Sequence, residues 1–187
     1  MRWIMMLTAL VTFFGASADG FAQGKPAAPI DRENTLYIDL KDGRVVIQMR
    51  PDLAPTHVAQ IKKLAREGKY DGIVFHRVIA GFMAQTGCPD GTGSGGMGER
   101  LPAEFSKQPH MRGTASMART SDPNSARSQF FICFDKADFL DEQYTVWGQV
   151  VSGMEFVDKI KKGDPRSGAV QGPDKMVKVQ VAADVKE

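Results

Sequence analysis

Two stretches of this chain place polar side chains where only apolar ones would be expected. The first is Phe75-His76-Arg77-Val78-Ile79-Ala80-Gly81-Phe82-Met83-Ala84-Gln85, which reads as strand, bend, strand. It sets an arginine and a glutamine among Val, Ile, Phe and Met. Burying a guanidinium costs several kcal/mol unless it is paired or has work to do. The second is Ser128-Gln129-Phe130-Phe131-Ile132, where Gln129 sits in an aromatic strand. Arg77, Gln85 and Gln129 on two apolar strands point to an apolar groove with a few fixed polar groups, the usual make-up of a ligand site.

Other chemistries fit less well. His57, His76 and His110 lack metal-ligand spacing. Strand alternation turns His76 away from Arg77, as a satisfied core histidine. Ser116 or Ser128 could be paired with a histidine as in a hydrolase, but no Gly-x-Ser-x-Gly elbow is present. The glycine-rich run at 91–96 lacks the Lys-Ser/Thr ending and the strand–loop–helix setting of a phosphate-binding loop. The net charge of +2 over 187 residues is too small for a nucleic-acid footprint, so no nucleic-acid partner is expected.

The elements that must carry these residues are mostly short strands. Apolar alternation marks strands over Asn34–Leu40 and, after the Asp42-Gly43 turn, Arg44–Met49. Pro55 suits the first turn of a helix. Val58, Ile61, Leu64 and Ala65 recur at helical spacing, and Gly68 ends it. Strands are expected over Ile73–Ile79, Phe82–Thr86, Gly113–Ala118, Ser128–Phe134, Val146–Val151 and Met176–Ala182, with a long loop over Gly87–Pro109. A short helix over Gly153–Lys162 turns Met154, Val157 and Ile160 inward. Many short strands with two helices indicate a mainly β protein, a closed antiparallel barrel.

The N-terminus reads differently. Arg2 precedes an uncharged apolar run from Trp3 to Ala18, shorter than the ~20 residues of a membrane span. Ala16-Ser17-Ala18 and Gly20-Phe21-Ala22 are small-residue cleavage motifs. Residues 1–22 are therefore expected to be a signal peptide cut after Ala18 or Ala22, with 23–33 a linker and 34–187 the domain. An uncleaved membrane anchor is the alternative. The expected location is the periplasm, with no stable membrane insertion after cleavage. Cys88 and Cys133 would then meet an oxidising compartment that permits a disulfide, but both are expected to be free thiols, with Cys133 a buried small hydrophobe in an apolar strand.

The two opening segments, with Ser116-Met117-Ala118-Arg119 and Phe139-Leu140-Asp141, resemble the signatures of the cyclophilin family of peptidyl-prolyl cis-trans isomerases, in its bacterial exported branch. The likeness spans about residues 34–182. It implies a closed eight-stranded antiparallel barrel capped by two helices, and a rotamase that assists protein folding. Twisting an Xaa-Pro bond breaks no bond and needs no metal or cofactor. It needs a pocket for the proline ring and a donor for the prolyl nitrogen, whose lone pair becomes basic as conjugation is lost.

By resemblance, Arg77 is that donor, and Gln85 holds both Arg77 and the substrate. Phe82, Met83, Phe131 and Leu140 form the pocket, with Gln129 nearby. Ala118, Arg119 and Thr120 form the edge along which the peptide lies, and Phe139 and Tyr144 close the rim. The resemblance has departures. Phe139 stands where many members have Trp, Tyr144 where they have His, Arg119 for Asn, and Gln60-Ile61 for Asn-Phe. Expected partners are proline-containing peptides and unfolded exported proteins, met by a monomer. A proline-peptide-binding module or holdase with incidental isomerase activity is the alternative.

Overall fold

The computed structural model describes residues 31–186, so the expected signal peptide and most of the linker lie outside the described residues. Eight strands form one antiparallel sheet: β1 (Thr35–Leu40), β2 (Gly43–Met49), β3 (Arg77–Ile79), β4 (Met83–Thr86), β5 (Thr114–Met117), β6 (Phe130–Cys133), β7 (Val146–Ser152) and β8 (Lys178–Val181). Their spatial order is β3-β4-β6-β5-β7-β2-β1-β8. Helices α1 (Pro55–Arg66) and α2 (Met154–Lys159) accompany it. No helix of the described residues is long and apolar enough to cross a membrane.

The sheet curls, but it is not the closed barrel expected from the sequence. β3 and β8 are edges of the ladder. Irregular chain stands between them, tied by isolated bridges Val74–Lys175 and Arg77–Ala169. Single backbone bonds, Phe75 N–H to the Asp174 carbonyl (2.8 Å) and Gly72 N–H to the Met176 carbonyl (2.7 Å), add to the seam. The physical reason lies in the residues 163–177. Two prolines, Pro165 and Pro173, remove donors, and Gly163, Gly168 and Gly172 favour turns over a ladder. The same effect shortens the expected strand over Ile73–Ile79 to Arg77–Ile79.

Alternation decides where the core sits. Leu36, Ile38, Val45, Ile47 and Met49 of β1 and β2 point inward, joined by Val58, Ile61, Leu64 and Ala65 of α1 and by Val157 of α2. Phe130, between Tyr70 (centroids 5.7 Å apart) and Trp147 (5.3 Å), forms an edge-to-face aromatic stack at its centre. The N-terminus of α1 has no side-chain cap of its own. Glu104, far along the chain, accepts from Thr56 N–H (3.0 Å) and His57 N–H (3.1 Å) instead. Burial alone would raise the Glu104 pKa, but hydrogen bonds from His57 and Thr56 outweigh it and leave it lowered. Residues 31–34 are tied to the other end of the chain, with the Arg32 guanidinium donating to the carbonyls of Ala182 (2.8 Å) and Val185 (2.7 Å).

Candidate active site

The second face of β3, β4, β6 and β5 is where the singled-out residues meet. Along β6, Phe130 and Ile132 join the main core, while Phe131 and Cys133 point to the other side into a smaller apolar cluster with Met83, Ala137 and Leu140. Along β4, Ala84 faces the core and Met83 the smaller cluster. Antiparallel pairing then sets Arg77 opposite Gln85, Gln85 opposite Phe131, and Phe131 opposite Ser116. Four residues from four strands thus lie in one row across the sheet. A one-residue slip would turn each of them into the core.

The polar members of that row are linked. The Arg77 guanidinium donates from Nη1 to Gln85 Oε1 (3.3 Å) and from Nε to the Ser167 carbonyl (3.1 Å). Gln85 Nε2 donates to Gln129 Oε1 (2.9 Å), whose own amide donates to the carbonyls of Gly93 (2.9 Å) and Gly95 (2.6 Å). Arg77 is half-buried at the cavity wall, not buried among apolar side chains as its strand context implied. It keeps part of its hydration, which lessens the desolvation cost. The turn before β4 is made by Gly81, whose φ of +72° suits glycine.

A cavity of about 140 Å³ opens beside this row, lined by Arg77, Phe82, Met83, Gln85, Ala118, Arg119, Phe131, Leu140 and Tyr144. That is below the ~300–1,000 Å³ of sites for drug-sized ligands and suits a single small side chain. Thr120 and Gln129 line an adjoining cavity of about 180 Å³, which shares Gln85, Ala118 and Arg119 with the first. Phe139 lines neither cavity. It stands outside, 64% exposed, with its ring 5.2 Å from that of Phe82. Of the two residues expected at the rim, Tyr144 lines the cavity and Phe139 does not.

The three histidines are more varied than the sequence indicated. His110 Nδ1 lies 2.9 Å from Asp141 Oδ1, and its Nε2 lies 3.0 Å from Ser116 Oγ. This is the residue order of a hydrolytic triad, yet Ser116 is fully buried and its hydroxyl also reaches the Thr145 carbonyl (2.9 Å). A nucleophile without access to substrate does no acyl transfer, so the set acts as a tie behind Phe131. The His110 ring stacks on Phe131 (6.3 Å), and Asp141 follows the pocket residue Leu140. Burial pushes the His110 pKa down despite the upward pull of Asp141. Hydrogen bonds from the His110 backbone and ring hold Asp141 below the usual carboxylate range.

His76 is not the satisfied core histidine expected. It is half-buried, and neither ring nitrogen has a hydrogen-bond partner. Its ring lies under the glycine-rich loop, where a Cβ on Gly93 would come within 3.3 Å of it. Burial lowers its pKa. Cys88 and Cys133 are buried free thiols. Cys88 Sγ donates to Asp90 Oδ1 (2.8 Å), and burial pushes the Cys133 thiol up to about 12.

Sequence reasoning missed the loop that holds Arg77 in place. Asp164 Oδ1 accepts from the backbone of Arg166 (3.0 Å) and Ser167 (2.8 Å), folding a turn that presents the Ser167 carbonyl to Arg77. Gly168, at φ +79°, packs on the stem of Arg77: an added Cβ would lie 2.8 Å from Arg77 Cγ and 2.7 Å from Ile79 Cγ1. The Asp-Pro-Arg-Ser-Gly composition marked a turn, but nothing in it named the residue it would meet 90 positions earlier. The glycine-rich loop is a second omission, since it supplies the acceptors for Gln129.

An eight-stranded curled sheet with two helices carries the cavity and the Arg77–Gln85–Phe131 row on one face. The family model for cyclophilin type peptidyl-prolyl cis-trans isomerase/CLD matches residues 35–181. The chain belongs to that family and is a peptidyl-prolyl cis-trans isomerase. It is 53% identical over 200 aligned positions to a probable peptidyl-prolyl cis-trans isomerase of Brucella suis, covering 100% of both chains. It is 44% identical over 133 residues to peptidyl-prolyl cis-trans isomerase B of Bacillus subtilis, covering 70% of this chain and 92% of that one. Among solved structures, a cyclophilin from Hirschia baltica superposes with a TM-score of 0.76 at 30% identity, over 84% of this chain and 77% of that chain. An isomerase of Cryptosporidium parvum, crystallised in the presence of the dipeptide Ala-Pro, superposes with a TM-score of 0.73 at 25% identity, over 79% of this chain and 98% of that chain.

Proposed function

We propose that the cavity beside Arg77 is the catalytic site and that this isomerase acts on unfolded proteins outside the cytoplasm. The observation that carries the site assignment is the Arg77 guanidinium, held by Gln85 and the Ser167 carbonyl at the wall of an apolar cavity. In this reading Phe82, Met83, Phe131 and Leu140 receive the proline ring. Ala118, Arg119 and Thr120 hold the chain on one side of it through backbone groups. Arg77 donates to the prolyl nitrogen as the amide twists, a bond that is stronger in the twisted state than in either planar one. That difference is what lowers the barrier of roughly 18–20 kcal/mol. Gln85 and Gln129 fix the fork before substrate arrives, so little reorganisation accompanies the step.

Exchange spectroscopy on a short peptide containing Ala-Pro tests the assignment. Cis–trans cross-peaks at low enzyme concentration are expected, with peptide-induced shifts centred on Phe131 and Gln85. Exchange catalysed with shifts mapping to another face would overturn the site. The export reading rests on Arg2, the apolar run to Ala18 and the two small-residue motifs. Mass spectrometry of the protein from fractionated cells should find a chain beginning at Asp19 or Gln23 in the periplasmic fraction. Intact Met1 in the membrane fraction would favour the anchor.

A further inference from the structure

Arg119 follows Ala118 just beyond the end of β5, and its side chain is built into the rim in a way the pocket itself does not require. Its Nε donates to the Gln143 carbonyl (3.0 Å), and its Nη1 to the carbonyls of Thr120 (2.8 Å) and Ser121 (3.4 Å). The guanidinium lies 4.6 Å from the centre of the Tyr144 ring, with the Phe105 ring 5.9 Å away. Tyr144 in turn meets Phe131 edge-on at 5.9 Å. Among the described residues the Tyr144 hydroxyl makes no hydrogen bond, so its ring is oriented by packing, between a cation and an aromatic edge.

Two chain segments far apart in sequence meet beside the cavity: 118–121, the proposed peptide edge, and 143–144, the rim. Arg119 is the side chain that hydrogen-bonds to both. It also lines both cavities. A planar fork spends its donors on several carbonyls at once while its face stays free to stack, which an ammonium does not do.

We propose that the Arg119 side chain is a positioning residue that acts through Tyr144, holding the rim and the peptide edge at a fixed separation before substrate binds. The inference rests on the site reading above. Because the strap is the same in the planar and twisted states of the substrate, it contributes to binding and not to the chemical step.

Steady-state parameters on a short Xaa-Pro peptide test it with Arg119→Ala, Arg119→Asn, Arg119→Lys, Tyr144→Ala and the Arg119→Ala/Tyr144→Ala pair. Arg119→Ala should raise KM by about threefold to thirtyfold, the span expected of one cation–π contact, with kcat within about twofold. Arg119→Asn should behave the same way, which covers the case of an alanine variant that fails to fold. Arg119→Lys should recover only part of the loss. In the double variant the Arg119 change should add almost nothing to Tyr144→Ala. A fall in kcat at constant KM, additive losses in the pair, or full recovery by lysine would each overturn the proposal. Failure of the site reading looks different: peptide-induced shifts in the unmodified protein would then avoid Phe131 and Tyr144 altogether.

Discussion

At the scale of single residues, Arg77 is the group on which turnover depends. Arg77→Ala should lower kcat/KM by about 10²-fold, the size expected when one preorganised donor is lost. Its melting temperature should stay close to that of the unmodified protein, because the guanidinium is only partly buried and the acceptors its removal frees, the Gln85 amide and the Ser167 carbonyl, lie where water reaches the groove. A peptide assay and a thermal scan check both halves. Wild-type turnover in the variant would refute the assigned donor. Arg77 and Gln85 were legible because their types conflict with their apolar strands. His76 and Phe139 were read less well. Alternation fixes the side of a strand, but not whether a neighbouring loop brings His76 a partner or whether Phe139 faces the cavity or the solvent.

At the scale of elements, the loop over Asp164–Ala169 is to Arg77 what the strand β4 is to Gln85. Gly168→Ala should displace the arginine stem, since its Cβ would sit 2.8 Å from Arg77 Cγ and its φ of +79° disfavours any side chain. Activity should drop by about tenfold or more, with a stability loss of roughly 1–2 kcal/mol. If Gly168→Ala keeps full activity, Arg77 is held by Gln85 alone. Seven of the eight paired strands were visible in the sequence within a residue or two of their true ends, and β3 begins four residues later than expected. Closure of the barrel was not, because it depends on what the turn-rich segment 163–177 does against β3. Proline and glycine there leave bridges in place of a ladder.

At the scale of the whole molecule, pH should act on stability through buried imidazoles. Burial holds His76 and His110 below their ordinary value of 6.5. The unfolded chain therefore binds protons first as pH falls, and stability declines in that direction. Their contribution is full above pH 6.5, the unfolded value, and is lost as pH falls through the lower folded values. Melting temperatures measured from about pH 8 down to about pH 5 should decline, and His110→Asn should flatten the slope. A curve rising toward acid would contradict this. Reductant should leave activity unchanged, since Cys88 and Cys133 are free and buried and neither lines the cavity.

The sequence by itself determined the strands, the two helices, the apolar face of α1 and the identity of the Arg77–Gln85–Gln129 set. These follow from local periodicity and from polar types in apolar runs, which are properties of a few adjacent residues. The tertiary structure decided the rest. It set Arg77, Gln85, Phe131 and Ser116 in one row, because register between strands depends on pairing partners far apart in the chain. It brought Ser167 and Gly168 to Arg77, Glu104 to the start of α1, and Arg119 onto Tyr144. Such contacts join residues tens of positions apart. Their chemistry is ordinary at each end, and only the folded chain makes them neighbours.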